Sequence, residues 1–308
     1  MLESSFIEWI RSQSRFDPAA VPVGPGDDMA VVTCGGERLL LTTDQVLDGV
    51  HFVLAEHGPR AAGRKAMARN LSDVAAMAAV PVAAVGTVAL PRGFGRADAE
   101  AIYLGLREVG DEFACPLVGG DVGSWDGKLA ISVTILARPG ETEPVLRSGA
   151  QAGDALCVTG SLGAAWRATE TGRPGRHLSF RPRIAEAQIL ARDYGVHAMI
   201  DLSDGLSVDL GHICDESHVG ADVLAAAVPI HEDARRLNDP LAAALGDGED
   251  YELLFALPAA QAEKLLRDQP LGVPVSRIGA VVAGAERTLV RPDGRREQLK
   301  ATGWEHRT

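Results

Sequence analysis

Aspartates next to glycine, serine or threonine are the residues of this sequence whose type and spacing suggest chemistry. Any one of them is explained by a turn or a helix cap, because such positions favour Asp and Gly. Several end an apolar strand or open a helix, where loops converge, so we expect them to share one cleft. The motifs occupy residues 24–28, 42–44, 70–73, 119–121, 201–205 and 248–252.

A cleft with this many carboxylates requires cations, since like charges in one site oppose ionisation. The motifs offer oxygen ligands, with no His or Cys at ligand spacing, and this ligand set favours Mg²⁺. Magnesium commonly completes its coordination shell with water and substrate phosphates. The sequence therefore predicts a magnesium site that binds a nucleotide or another polyphosphate.

The sequence lacks the familiar nucleotide-binding loops. Gly127-Lys128 is followed by Leu129 and does not form a P-loop, and Gly24-Pro25-Gly26 precedes a predicted strand instead of the helix of a dinucleotide site. The glycine-rich loop and H-R-D motif of protein kinases are missing, and so is the G-x-S-x-G motif of serine hydrolases.

Length and charge limit the class of protein. A chain of 308 residues predicts two domains of roughly 150 residues each. We predict an N-terminal metal- and ATP-binding domain at residues 1–138, a linker at 139–154 and a C-terminal α/β domain at 155–308. A net charge of -12 argues against nucleic acid as the main partner.

Cysteine spacing and hydropathy predict a soluble, cytoplasmic protein. The four cysteines form no C-x-x-C pair, which favours free thiols in a reducing compartment. The N-terminus carries charged residues and lacks the apolar run of a signal peptide. Residues 74–90 are uncharged but contain Pro81 and Gly86, so we interpret them as a helix end followed by a buried strand, with no membrane span.

Hydrophobic periodicity predicts grouped helices and strands, which favours a mixed α+β layer over a doubly wound sheet. Predicted helices cover residues 2–12, 64–79, 97–113, 162–171, 184–195 and 204–217. Predicted strands cover residues 29–33, 38–43, 82–90, 115–118, 128–137, 155–159, 221–227, 251–257 and 275–282, with a Gly/Asp-rich loop between the strands at 115–118 and 128–137.

The ordered series of motifs resembles the thiamine-monophosphate kinase family over nearly the whole chain. It comprises GDD at 26–28, TTD at 42–44, GVHF at 49–52, NLSDVAAM at 70–77, GGD at 119–121, DLSDGL at 201–206 and GEDYEL at 248–253. This family belongs to the superfamily of aminoimidazole ribonucleotide synthetase. The resemblance implies a two-domain α+β (mixed α/β) architecture, with an N-terminal mixed sheet covered by helices on one side and a C-terminal α/β domain.

The resemblance also implies an activity, the last step of thiamine diphosphate biosynthesis. ATP would transfer its γ-phosphoryl group in line to thiamine monophosphate, with several Mg²⁺ ions, in a homodimer formed through the N-terminal sheet. The matching metal ligands are Asp28, Thr42, Thr43, Asp44, Asp73, Asp121, Asp201 and Asp204. The matching ATP-binding residues are Gly120, Asp121, Arg147 and Ser203, and the matching thiamine phosphate-binding residues are His51, Glu249 and Trp304.

This chemistry needs no general base, because the acceptor phosphate, with a second pKa of about 6, is already largely ionised. Charge neutralisation and positioning are the main requirements of phosphoryl transfer. Arg147 can grip a phosphate with its forked guanidinium. A carboxylate such as Glu249 and an aromatic face such as Trp304 suit a thiazolium cation.

Other interpretations remain open at this stage. His51 fits a core histidine, Arg147 a solvated linker residue and Trp304 a plug for the C-terminus. We expect Asp27 to support its loop and Asp209 to serve the helix face, and Tyr103 is a guess for the adenine pocket. An aminoimidazole ribonucleotide synthetase, a selenophosphate synthetase and a non-catalytic magnesium or nucleotide sensor are the rival functions.

Overall fold

The computed structural model describes residues 3–166 and 175–304. Within these residues five strands form an N-terminal mixed sheet in the order β1-β2-β5-β3-β4. Strands β3 and β4 are parallel, and the other neighbours are antiparallel. The strands are β1 (Ala30–Cys34), β2 (Glu37–Leu47), β3 (Val80–Pro91), β4 (Leu117–Trp125) and β5 (Ala130–Arg138).

Two of the N-terminal helices, the second and the third in the chain, cover one face of this sheet. The chain forms α1 (Glu3–Gln13), α2 (Leu54–Ala76) and α3 (Arg96–Glu112). On β5, Ile131, Val133 and Ile135 are buried and alternate with half-buried residues, as expected for a strand with one face against a core. The predicted sheet with helices on one side is therefore confirmed.

The remaining strands form a second mixed sheet in the order β12-β11-β8-β10-β6-β9-β7 within the described residues. They are β6 (Ala155–Thr159), β7 (Ala198–Asp201), β8 (Gly220–Leu224), β9 (Leu253–Leu257), β10 (Val275–Val282), β11 (Arg287–Val290) and β12 (Arg296–Gln298). The accompanying helices are α4 (Ile184–Tyr194), α5 (Leu206–Ser217), α6 (Pro240–Gly246) and α7 (Ala259–Asp268). Strands β6 and β9 are buried along their whole length, so both faces of the sheet centre are covered.

Helix α2 joins the two halves of the molecule. It contacts β2 and β5 of the first sheet as well as α4 and β7 of the second half. It begins at Leu54, ten residues before the predicted start at residue 64. A kink at Gly58 (φ 76°) divides it, and the longer part begins at Pro59, because proline is well accommodated in the first turn of a helix. Its central position explains why it is buried around most of its circumference.

Three sequence predictions differ from the structure. The predicted helix 162–171 is wrong over residues 162–166. Gly163 has a φ of 91°, which a helix does not allow, and its N–H donates to the Asp250 carboxylate. Residues 167–171 lie outside the described residues. The predicted loop at residues 119–121 lies inside β4, which pairs with β3 as far as Trp125. The helix predicted from residue 204 begins at Leu206.

The predicted strands 155–159 and 275–282 have the predicted ends, and the other predicted helices and strands are present with shifted ends. Five elements, β7, α6, α7, β11 and β12, had not been predicted. Residues 139–154 contain neither helix nor strand and connect β5 to β6, and the domain boundaries assigned there remain a prediction. Among the described helices, none combines the length and the apolar character needed to cross a membrane.

Candidate active site

Three aspartates from distant parts of the chain meet beside helix α2. Asp28 lies in the turn before β1, Asp73 in the last turn of α2, and Asp201 at the end of β7. One carboxylate oxygen from each lies within 4.8 Å of the other two. The structure thus brings together three of the eight proposed metal ligands through their side chains.

The charges of these aspartates are poorly solvated. Burial raises the pKa of the Asp73 carboxyl well above its usual range, and the nearby Asp44, Asp201 and Asp28 raise it further. Burial, followed by the charge of Asp28, also raises the pKa of Asp201 to about 7. A bound cation would relieve this unfavourable electrostatic energy, and the all-oxygen donor set fits Mg²⁺.

Hydrogen bonds orient the three carboxylates. The Thr42 hydroxyl donates to Asp73, and the Ser72 hydroxyl donates to Asp201 at 2.5 Å. A guanidinium nitrogen of Arg147 donates to Asp28 at 2.6 Å, so this side chain is part of the site and not a solvated linker residue. These bonds hold the three carboxyl groups in place.

Asp27 supports its loop, as predicted. Its carboxylate accepts the backbone N–H groups of Asp28 at 3.1 Å and Arg147 at 3.1 Å. The bond to Arg147 ties the turn before β1 to the segment that connects the two sheets, and so fixes the position of Asp28.

Strand β2 separates its three predicted ligands between two faces. Asp44 lies beside α2, where Arg69 Nε donates to its carboxylate at 2.5 Å. Thr42 shares that face, because alternate residues of a strand point the same way. Thr43 points to the opposite face, where Thr134 donates a hydrogen bond to its hydroxyl at 2.9 Å.

Asp121 lies away from the three clustered aspartates. It is exposed on β4. Across the sheet it pairs with Thr87 on β3, which pairs with Ser132 on β5, which in turn pairs with Gln45 on β2. Gln45 is the neighbour of Asp44 and points to the opposite face of the strand. Asp121 therefore points to the face opposite Asp44. In addition, β4 is three strand spacings from β2, a distance of about 14 Å. Gly120 and Asp121 instead border a cavity of about 430 Å³ between β4 and α3, which Tyr103 also lines.

Three loops converge next to the aspartate cluster. The Ser203 carbonyl accepts the Glu249 N–H at 2.7 Å, and the Asp204 carbonyl accepts the Trp304 N–H at 3.0 Å. Asp209 stabilises this arrangement because its carboxylate accepts the N–H groups of Asp204 at 3.2 Å and Gly205 at 3.0 Å. Asp209 therefore serves the start of α5, and Asp204 is not the residue that caps this helix.

A second cavity, of about 470 Å³, contains all three predicted thiamine phosphate-binding residues. His51, Glu249 and Trp304 line it together with Ser203 and Asp204. The His51 ring accepts the Leu47 N–H at Nδ1, so the neutral ring carries its proton on Nε2. Trp304 is half exposed at the cavity and is not a buried plug.

Sequence reasoning missed three residues near this second cavity. Arg69 and Trp166 line it, and Lys65 is buried beside Glu249. Lys65, Arg69 and Asp73 recur every four residues on α2, and this charged stripe in a buried helix could have indicated them. Trp166 lay in the segment wrongly predicted as a helix, and its neighbours in the sequence carry no comparable signal.

Comparisons with known proteins agree with this architecture. Residues 26–138 match the family described as AIR synthase related protein, N-terminal domain, and residues 151–291 match the corresponding C-terminal domain. The fold and the site thus define a protein of the AIR synthase related class, which confirms the predicted fold class.

Individual relatives narrow the class. The thiamine-monophosphate kinase of Rhodopirellula baltica is 41% identical over 91% of this chain and 90% of its own length. That of Mycobacterium tuberculosis is 35% identical over 95% of this chain and 88% of its own length. This chain belongs to the thiamine-monophosphate kinase family. A solved structure of AaThiL complexed with AMPPCP and TMP superimposes with a TM-score of 0.84 at 29% identity, covering 99% of this chain and 97% of that one.

Proposed function

We propose that this protein catalyses the Mg²⁺-dependent phosphorylation of thiamine monophosphate by ATP, giving thiamine diphosphate and ADP. The observation that carries the proposal is the cluster of Asp28, Asp73 and Asp201 beside the cavity lined by His51, Glu249 and Trp304. The family relationship supports it, since the AaThiL structure contains AMPPCP, an ATP analogue, together with TMP.

The metal site is assigned from the chemistry of its donors. The carboxylates of Asp28, Asp73 and Asp201 would hold Mg²⁺, while Thr42, Thr43, Asp44, Asp121 and Asp204 remain proposed ligands of further ions. When bound, Mg²⁺ neutralises charge on the transferring phosphoryl group and on the acceptor.

The phosphates of the nucleotide are assigned to the aspartate cluster. Arg147 would contact a phosphate with its guanidinium, and Ser203 and Gly120 would contribute polar and main-chain contacts. The adenine would enter the cavity of about 430 Å³, because Tyr103, Ile102 and Leu106 give it an apolar wall suited to a purine.

The acceptor is assigned to the second cavity. Glu249 supplies negative charge and Trp304 an aromatic face for the thiazolium cation. An oxygen of the acceptor phosphate attacks the γ-phosphorus in line, the bond from that phosphorus to the β–γ bridging oxygen breaks, and ADP leaves. The chain's residues bind and orient the two anions, and no residue is assigned the role of a general base.

Assembly and location complete the proposal. The N-terminal sheet exposes Leu41 and Val85 on the face away from the helices, and its edge strand β4 exposes Val118, Val122 and Trp125. We assign this surface to a homodimer interface, because exposed apolar patches commonly mark association sites. We place the enzyme in the cytoplasm, where buried free thiols such as Cys115 and Cys157 stay reduced.

One assay tests the function. We expect ADP release that depends on both thiamine monophosphate and Mg²⁺, with thiamine diphosphate as the second product. Turnover with an aminoimidazole precursor or with selenide, but not with thiamine monophosphate, would assign the chain to a rival activity. Nucleotide binding without ADP release under any of these conditions would identify a sensor.

A further inference from the structure

The ammonium group of Lys65 is fully buried in the middle of α2 and has three polar partners. Its Nζ donates to the His51 carbonyl oxygen at 2.6 Å, to His177 Nδ1 at 2.9 Å and to the Glu249 carboxylate. A lysine ammonium has three donors, so these contacts satisfy it completely. The partners come from three separate segments of the chain, which this single side chain therefore connects.

Lys65 lies behind the wall of the second cavity. His51 and Glu249, which it contacts, both line that cavity, whereas the Lys65 side chain has no exposed surface. The Nζ atom is also 5.3 Å from the centroid of the Trp166 ring, and Trp166 lines the same cavity. A second ring, that of His177, packs against Trp166 at 4.4 Å between centroids.

The local charges favour a fixed arrangement of these groups. Burial, together with the charge of Lys65, lowers the pKa of His177 to about 2, so this ring is neutral and can accept a hydrogen bond at Nδ1. Glu249 has a φ of 61°, a left-handed conformation that non-glycine residues rarely adopt. Such a conformation persists only where surrounding contacts impose it, and the ion pair with Lys65 is one of the contacts that constrain the Glu249 loop.

We propose that Lys65 is a positioning residue of the acceptor pocket, which holds the Glu249 carboxylate, the His51 main chain and the Trp166 ring in the geometry that binds thiamine monophosphate. This proposal rests on the proposed function and adds to it a residue that does not touch the substrate. It also makes Trp166 a wall of the pocket whose orientation depends on Lys65 and His177.

This role predicts a selective effect on substrate affinity. The partners of Lys65 line the acceptor cavity, and Lys65 does not line the cavity beside Tyr103. Removing its charge should therefore weaken binding of thiamine monophosphate and leave ATP binding nearly unchanged. A general loss of folding would instead impair both substrates together.

The first test replaces Lys65 with methionine, which has a similar length and no charge. We expect Lys65→Met to raise KM for thiamine monophosphate by about tenfold to a hundredfold, the range produced by a misplaced binding group. We expect KM for ATP, and kcat at saturating acceptor, to change by less than about threefold. The matched control is Lys264→Met, because Lys264 also lies over an aromatic ring, that of Tyr194 at 5.0 Å, but is exposed on α7.

A double-mutant cycle tests whether Lys65 acts through Glu249. Removing one partner of a buried ion pair is strongly destabilising, whereas removing both leaves no uncompensated charge. If Lys65→Met alone does not fold, the comparison is made between Glu249→Gln and the double variant Lys65→Met/Glu249→Gln. The part of the Lys65 effect that acts through Glu249 is already lost in Glu249→Gln, so we expect the added Lys65→Met to raise KM for thiamine monophosphate by less than about tenfold, through the His51 main chain and the Trp166 ring.

Two results would overturn the proposal. One is an unchanged or lower KM for thiamine monophosphate in folded Lys65→Met, and the other is a further increase of about tenfold or more when Lys65→Met is added to Glu249→Gln. Both are read against a wild-type enzyme that is active with thiamine monophosphate. An inactive wild type would contradict the proposed function itself, and direct binding of thiamine monophosphate, followed by tryptophan fluorescence, would then test Lys65 separately.

Discussion

At the scale of single residues, the carboxyl groups of Asp73 and Asp201 bind protons more tightly in the folded protein than in the unfolded chain. The pKa of Asp201 rises from 3.8 to about 7 because of burial and the charge of Asp28. Such a group lowers the stability of the folded protein as pH rises from the lower value to the higher one. A bound cation removes this cost, so metal binding and carboxyl ionisation are linked.

This linkage predicts that Mg²⁺ raises the melting temperature more at about pH 8 than at about pH 6, because protons compete with the metal at the lower pH. A difference of about 1 kcal/mol would change Tm by about 1.5 °C. Differential scanning fluorimetry with and without Mg²⁺ measures it.

Asp73→Asn provides the control for this experiment. It removes one carboxylate of the cluster, so the stabilisation by Mg²⁺ should fall at both pH values. Equal Tm shifts at the two pH values in the wild type would contradict the assignment of the cluster as a metal site.

At the scale of elements, helix α2, which carries part of the site, packs very closely against α3. A Cβ atom on Gly63 would lie 2.2 Å from the Ile102 carbonyl oxygen, and one on Gly105 would lie 2.1 Å from the Arg60 carbonyl oxygen. The two helix backbones therefore meet without intervening side chains. This contact fixes the helix that carries Lys65, Arg69 and Asp73.

Gly105→Ala is accordingly expected to destabilise the protein by about 1–3 kcal/mol, the usual cost of overpacking. The expected sign is opposite to that of helix propensity, which favours alanine over glycine by about 1 kcal/mol. Urea denaturation measures the change. The control is Arg107→Ala, a substitution at an exposed position of the same helix, which should change the free energy of unfolding by less than about 0.5 kcal/mol. A Gly105→Ala protein as stable as this control would show that the two helices can move apart.

At the scale of the whole molecule, the N-terminal sheet has one face under helices and one face that is open in the single chain. Val85 is 44% exposed on that open face although it belongs to an inner strand. Burial of this face between two chains would remove apolar surface from water, which is the main driving force for association.

Val85→Asp is therefore expected to convert a dimer into a monomer, because a desolvated, unpaired carboxylate at the interface is strongly unfavourable. Light scattering after size-exclusion chromatography gives the mass. Leu224→Asp is the matched control, since Leu224 is equally exposed at 44% but lies on β8 of the other sheet. A wild-type monomer, or a Val85→Asp dimer, would refute the proposed interface.

Much of this protein is determined by local sequence. The periodicity of residues 64–76 and 97–112 specifies helices, and alternation in β5 specifies a strand with one buried face. The ordered acidic motifs indicate magnesium and a phosphate-bearing substrate, because the chemistry of carboxylate oxygens does not depend on the fold. The family could likewise be identified from the order of these motifs.

Tertiary structure alone decides which of these residues meet. Asp28, Asp73 and Asp201 cluster because α2 lies between the two sheets, whereas strand register directs Asp121 and Thr43 to the other face of the first sheet. The partners of Lys65 are also far apart in the chain. Sequence patterns report only neighbours along the chain, while strand pairing and helix packing join residues that are distant in sequence, and these long-range contacts determine the shape and charge of the two cavities.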